Sequence, residues 1–179
     1  RRNEFHSADM VANFRCEAAG LRALSQTGAI RVPHVYAVDR VGDRAALAME
    51  FIASGNSFRD RFKTFGRQLA KLHRETQGDP IGWPDDNFLG SARQPNGSCA
   101  SWPEFVATRR IGFQIRWACD QGLADSSLKA DCETIIDRID ELLSGCDGTT
   151  SLLHGDLWSG NYLFDESGQP VLIDPAIYR

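Results

Sequence analysis

No apolar run in these 179 residues approaches the length that spans a bilayer, and the first ten, RRNEFHSADM, lack the apolar centre of a secretory signal. A soluble, cytoplasmic chain with no membrane partner is therefore expected. Cys-x-x-Cys pairs are missing as well. The five cysteines, Cys16, Cys99, Cys119, Cys132 and Cys146, are odd in number and scattered, which argues against a disulfide framework and a structural zinc site and favours a reducing cytosol. There are no blocks of one charge. The net charge of −4 comes from interspersed signs, so neither a nucleic-acid footprint nor an acidic tail is present, although a local cationic pocket for phosphate is compatible with this pattern. Repeats and low-complexity tracts are absent too. With 42% apolar residues, the chain can bury one core, or two small lobes sharing an interface. It has no initiating methionine and stops at DPAIYR, directly after an apolar strand-like run, so it reads as cut at both ends.

What is present is ordered by period. Between Ser7 and Gly28 the stripe Met10, Phe14, Glu17, Leu21 and Leu24 recurs at four-three spacing, which predicts a helix with one buried face. Glu17 sits inside that stripe. An ionised carboxylate there requires either a basic partner from elsewhere in the chain or a place at the solvated rim of the face. RVPHVYAV (31–38) and RAALAMEFI (44–52) flank a Gly-Asp turn and predict two antiparallel strands. Phe58, Phe62, Phe65, Leu69 and Leu72 predict a second helix, stopped near Gly78 and Pro80. A boundary between a small first lobe and a larger second one falls at residues 53–57.

Residues 79–100, DPIGWPDDNFLGSARQPNGSCA, show no sustained period and predict a long working loop. SWPE at 101–104 is a capping box, with Pro103 tolerated in the first turn, and predicts a helix to about residue 120. Leu128, Cys132, Ile135, Ile139 and Leu142 predict a further helix that Gly145 can end. The last segment changes period: SLLHGD and NYLFD read as short strands or strand ends, ESGQP as a turn and VLID as a third strand.

The chemistry is concentrated at residues 154–174. Asp156, Asn161 and Asp174 are hard oxygen donors of the kind Mg²⁺ takes together with substrate phosphates. Phosphoryl transfer asks for metal-bridged phosphates and an aspartate oriented on the incoming hydroxyl, and this set supplies both. Singly, Asp156 could be a turn former and Asp174 could merely end a strand. Together, H-G-D-x-x-x-x-N followed by strand, turn, strand and aspartate predicts a metal site for phosphoryl transfer; metal-dependent hydrolysis stays open on ligand type alone, although water activation usually asks for more acids than this segment offers. His154 is expected to hold a loop carbonyl rather than to act as acid or base.

LLHGDLWSGN and VLIDPA resemble the catalytic segments of fructosamine (ketosamine) kinases, relatives of the aminoglycoside phosphotransferases. The resemblance extends over FRCEAAGLRAL, RVPHVYAV, LAMEFI, GRQLAKLH, and more discriminatingly over DNFLGSARQPNG with SWPEFVATRRIGFQ. It implies an α+β, protein-kinase-like fold of two lobes. Residues 1–53 would be a truncated nucleotide-binding lobe of antiparallel strands and one helix. Residues 54–179 would be a mainly helical catalytic lobe with a catalytic β-hairpin, truncated at its C-terminal end. By the same resemblance Asp156 is the base on the sugar hydroxyl, Asn161 and Asp174 are the Mg²⁺ ligands, and Glu17 is the partner of the ATP-binding lysine. Arg1 falls where that lysine would be, in R-R-N against the family's K-x-N. Met49, Glu50 and Phe51 lie at the hinge that contacts adenine.

The implied activity is ATP-dependent phosphorylation of the 3-hydroxyl of ketosamines such as fructosamine or ribulosamine adducts, on a small molecule or a glycated lysine, as in protein deglycation. Specificity would reside in the 79–100 loop and the helix after it, with Trp83, Asn87, Phe88 and Trp102 as candidate contacts. Two other readings stand beside it. One is a kinase for another small alcohol, such as choline or an aminoglycoside; the other is a non-catalytic nucleotide-binding pseudokinase.

Overall fold

The structure is a computed structural model and describes residues 7–55, 59–78, 80–146 and 148–179. Helix α1, Ser7–Gln26, buries Ala18, Leu21 and Leu24 almost completely, as the four-three spacing predicts. It ends where Thr27 Oγ1 donates to Leu24 O (2.7 Å) and Gly28 takes φ +61°. Strands β1 (Val35–Val41) and β2 (Arg44–Met49) form an antiparallel pair around Gly42-Asp43, with Gly42 at φ +65°. β1 begins later than expected, beyond Pro33, which has no N–H to give a ladder. β2 stops at Met49, and one further bond, Glu50 N to His34 O (2.8 Å), closes the ladder.

Helix α2, Arg61–Glu75, buries Phe65 and Leu72. The rings of Phe62 and Phe65 meet Tyr162 and Phe164 at centroid distances of 4.8–6.3 Å. Phe58, included in the predicted stripe, lies outside the described residues. Thr76 ends the helix, its Oγ1 donating to Leu72 O (2.8 Å).

Clustering of contacts divides the chain into two units: one up to Gln77 with Ser151–Ile177, the other Gly78–Thr150 with Tyr178–Arg179. In the second unit the 79–100 segment, expected to be irregular, holds a short hairpin. Its strands β3 (Asn87–Leu89) and β4 (Ala92–Gln94) turn at Gly90, φ +58°. Runs of three residues are too short to show a period. Ser101 caps α3 (Trp102–Phe105) by accepting Glu104 N at 3.2 Å, and Glu104 Oε2 accepts Ala100 N at 2.9 Å. The helix continues to Asp120 as expected, but through a π-helical turn, Val106–Ile111, before α4, Gly112–Asp120. Gly112 permits the wide turn, since a Cβ there would lie 2.6 Å from Ala107 O.

The next predicted helix is split into α5 (Ser126–Asp137) and α6 (Ile139–Leu142) at Arg138. Of its stripe only Ile139 is buried, while Leu128, Ile135 and Leu142 are exposed. The period was right, but a period does not supply a surface to pack against.

Strands β5 (Tyr162–Phe164) and β6 (Pro170–Leu172) form the expected antiparallel hairpin. SLLHGD is not a strand. Its polar groups are committed elsewhere: Ser151 Oγ donates to His73 O (2.8 Å) and Leu152 N donates to Thr76 Oγ1 (2.9 Å), so the end of α2 takes the place of a ladder. The architecture is α+β, and among the described residues no helix is long and apolar enough to cross a membrane.

Candidate active site

The bonds to His73 and Thr76 fix the entry of the segment that carries His154 and Asp156. A further tie comes from the chain beyond β6, through Ala176 N donating to His154 O (2.9 Å). The next residue, Gly155, adopts φ +84°, and a Cβ there would lie 1.8 Å from Ala176 O. Only glycine allows the two segments this close.

Asn161 joins them further. Its Nδ2 donates to Asp156 O (2.8 Å) and Asp156 Oδ2 (3.0 Å), and lies 3.5 Å from Asp174 O. Its main chain is held at both ends: Asn161 N donates to Trp158 O and Ile173 N donates to Asn161 O, each at 3.0 Å. Asp156, Asn161 and Asp174 therefore share one place in the first unit.

His154 is 2% exposed, with Nε2 2.9 Å from Ile173 O and Nδ1 3.3 Å from Asp156 N. A ring nitrogen that faces an N–H must offer its lone pair, so the proton sits on Nε2 and the ring is neutral. Burial pushes its pKa below the usual value, against the opposing pull of Ile173 O, Asp156 and Asp174. The histidine holds a carbonyl one residue before Asp174, which is a structural role.

Asp174 has φ +52°, a left-handed conformation that costs a non-glycine residue of order 1 kcal/mol and is held by its surroundings. Pro175 follows it and touches α1: a Cβ on Gly20 would lie 3.0 Å from Pro175 Cγ. Glu17 stands one turn earlier on that helix, and its pKa is raised to about 7, by burial first and by the charge of Asp174 second. Glu17 thus faces the site. Arg1, its expected cationic partner, lies outside the described residues. Among the described residues no salt bridge reaches Glu17, Asp156 or Asp174.

The donor set suits magnesium. Because Asn161 directs its nitrogen at Asp156 and Asp174 O, its Oδ1 is turned away from both, and no bond to that oxygen is formed among the described residues. Among the described residues the Asp174 carboxylate likewise accepts no hydrogen bond and forms no salt bridge, though its charge acts on Glu17. No group of three His, Cys, Asp or Glu side chains forms a complete metal cage among the described residues. Two hard protein oxygens, with the remaining ligands left to phosphate and water, match the chemistry of Mg²⁺ better than that of zinc.

Of the hinge residues, Met49 ends β2, Glu50 is held by its backbone bond to His34, and Phe51 extends its ring into solvent at 89% exposure. The four candidate acceptor contacts belong to the second unit. Trp83 lines a cavity of about 460 Å³ with Pro80, Pro84 and Arg179. Asn87 is buried, its Oδ1 accepting from Gln94 Nε2 (2.8 Å). Phe88 lies on β3, and Trp102 stacks on Phe105 and Tyr178 at 5.5 and 6.2 Å. Two features had no signal of their own in the sequence. Trp158, exposed beside Asp156, reads there as one more loop aromatic, and the partners of Arg31, Glu50 and Asp165, lie far from it in sequence.

Comparison with known proteins bears on the family and the fold. A family model for fructosamine kinase matches residues 4–179. The protein-ribulosamine 3-kinase, chloroplastic, of Oryza sativa subsp. japonica is 39% identical over 167 residues, 92% of this chain and 48% of the relative. Its namesake from Arabidopsis thaliana is 37% identical over 169 residues, 93% of this chain and 51% of the relative. A Haemophilus somnus crystal structure assigned as a fructosamine-3-kinase superposes with a TM-score of 0.84 at 28% identity, covering 96% of this chain and 57% of that one. The chain spans about half the length of the curated relatives it matches.

Proposed function

The chain belongs to the fructosamine kinase family, with that family's kinase-like fold, and from that premise we propose that it carries the catalytic site of an ATP-dependent ketosamine 3-kinase. The acceptor is the 3-hydroxyl of a fructosamine or ribulosamine adduct, on a small amine or a glycated lysine. Residues 1–53 belong to the nucleotide-binding lobe and residues 54–179 to the catalytic lobe. The observation that carries this reading is the Asn161 amide lying between Asp156 and Asp174 O.

Asp156 accepts the proton of the attacking sugar hydroxyl and aims its oxygen in line. Its bond from Asn161 Nδ2 leaves Oδ1 for that task. Asn161 Oδ1 and the Asp174 carboxylate hold Mg²⁺. Bound Mg²⁺–ATP supplies the phosphoryl group and the positive charge that offsets its oxygens. Glu17 orients the cation of the nucleotide-binding lobe, for which Arg1 is the candidate by its position in the sequence, and Met49, Glu50 and Phe51 contact adenine through their backbone. Acceptor choice rests with residues 79–100 and the helix after them, with Trp83, Asn87, Phe88 and Trp102 as the proposed contacts. None of the five cysteines forms a disulfide, which supports a reducing, cytoplasmic setting.

Incubation of the full-length protein with Mg–ATP and fructosyl-lysine, then with choline and aminoglycosides, tests the proposal. Phosphate on the ketoamine sugar is expected. Transfer to the other alcohols alone, or nucleotide binding without any transfer, would defeat it.

A further inference from the structure

Arg31 is joined to the catalytic hairpin twice over. Its main chain bridges Val171 of β6 in parallel, and its carbonyl accepts Leu172 N at 3.0 Å, two residues before Asp174. Its guanidinium reaches two carboxylates, with Nη2 donating to Glu50 Oε1 at 2.7 Å and Nη1 donating to Asp165 Oδ2. Both carboxylates are also fixed by their own surroundings. Glu50 Oε2 accepts His34 N (3.2 Å), while Asp165 Oδ1 accepts Ser167 N, Ser167 Oγ and Gln169 N at 2.6–3.0 Å. On the other side of the hinge, Ser54 bridges Asp165 and Gly55 N donates to Phe164 O (2.9 Å). The chain therefore docks on the hairpin at Arg31, ahead of β1 and β2, and again at Ser54 and Gly55, just after residues 49–51, and the arginine side chain ties Glu50 to the hairpin turn.

We infer that Arg31 is a positioning residue: by clamping Glu50 to Asp165, it fixes the nucleotide-contacting segment 49–51 at a set distance from the metal-holding pair Asn161 and Asp174. This rests on the proposed reading of those residues as nucleotide and metal contacts. The side chains of Arg31 and Glu50 are 43% and 30% exposed, so their ion pair adds little to folding stability, whereas the Asp165 side chain is 11% exposed and relies on its other donors once the guanidinium is gone. Asp165 keeps three donors when the guanidinium is removed, so no carboxylate is stranded without a partner. Loss of Arg31 consequently alters geometry rather than the fold. A lysine cannot replace it fully, because a single ammonium lacks the planar fork that meets two separated carboxylates at once.

The test compares the full-length parent protein with Arg31→Lys, Arg31→Ala and Glu50→Gln, measuring KM for ATP, KM for fructosyl-lysine, kcat and the melting temperature. For Arg31→Ala the KM for ATP should rise about fivefold or more, while the KM for the ketoamine and the melting temperature stay close to the parent's. Arg31→Lys should recover part of that loss, and Glu50→Gln should reproduce most of it. An unchanged KM for ATP beside an active parent overturns the inference alone. Parallel losses in both KM values and in melting overturn it in favour of a purely structural role. A parent that neither binds ATP nor transfers phosphate defeats the proposed function, and the inference with it.

Discussion

Asn161 donates to the carboxylate of Asp156 at 3.0 Å across five residues of a glycine-bearing loop. On the proposed reading one amide serves two purposes: its nitrogen steadies the proposed base, and its oxygen is left for the proposed metal. Asn161→Ala removes both. The Mg²⁺ concentration for half-maximal activity should rise roughly tenfold or more, with kcat reduced as well. A magnesium titration of phosphoryl transfer at fixed ATP checks this, and an unmoved midpoint would count against the assignment of Asn161.

Gly155 marks the closest approach of the catalytic loop to the segment after β6. Gly155→Ala places a Cβ against Ala176 O and forces an L-residue to φ +84°, so it should cost roughly 3 kcal/mol or more. Gly66 is the useful contrast, an exposed position inside α2 with nothing within reach of an added Cβ. Gly66→Ala should raise stability by about 1 kcal/mol, since alanine favours a helix interior. Chemical denaturation of both variants reads the two signs directly.

Glu17 makes the stability of the metal-free protein depend on pH. Its folded pKa of about 7 lies above the unfolded value of 4.5, so between these the folded state holds a proton that the unfolded chain releases. That contribution is complete below the unfolded value and is lost as pH rises through the folded one. Glu17→Gln abolishes it. Melting curves without nucleotide or metal should show the parent losing ground to the variant from pH of about 5 to about 8. Parallel curves would mean that Glu17 is ionised throughout and already met by a cation.

The parts of the molecule written at short range were legible in the sequence. The α1 stripe, the Gly42-Asp43 turn and the Ser101 cap all rest on neighbours within a few residues, as does the bond of Asn161 to Asp156. The β3–β4 hairpin was not legible, because three-residue strands carry too little alternation. SLLHGD looked like a strand because its apolar content matches one, yet its donors go to the end of α2, a partner about 76 positions away. Leu128, Ile135 and Leu142 announced a helix correctly but not their exposure. Arg31 illustrates the limit best: Asp165 lies 134 residues from it, and only the folded chain brings the two together.

Asp156→Asn in the full-length protein tests the central claim most directly, because the replacement keeps the shape of the side chain and its oxygen facing Asn161. Mass-spectrometric assay of fructosyl-lysine phosphorylation should show transfer reduced by at least about a hundredfold, with nucleotide binding and circular dichroism retained. Transfer at the parent's rate from a folded Asp156→Asn protein would contradict the account.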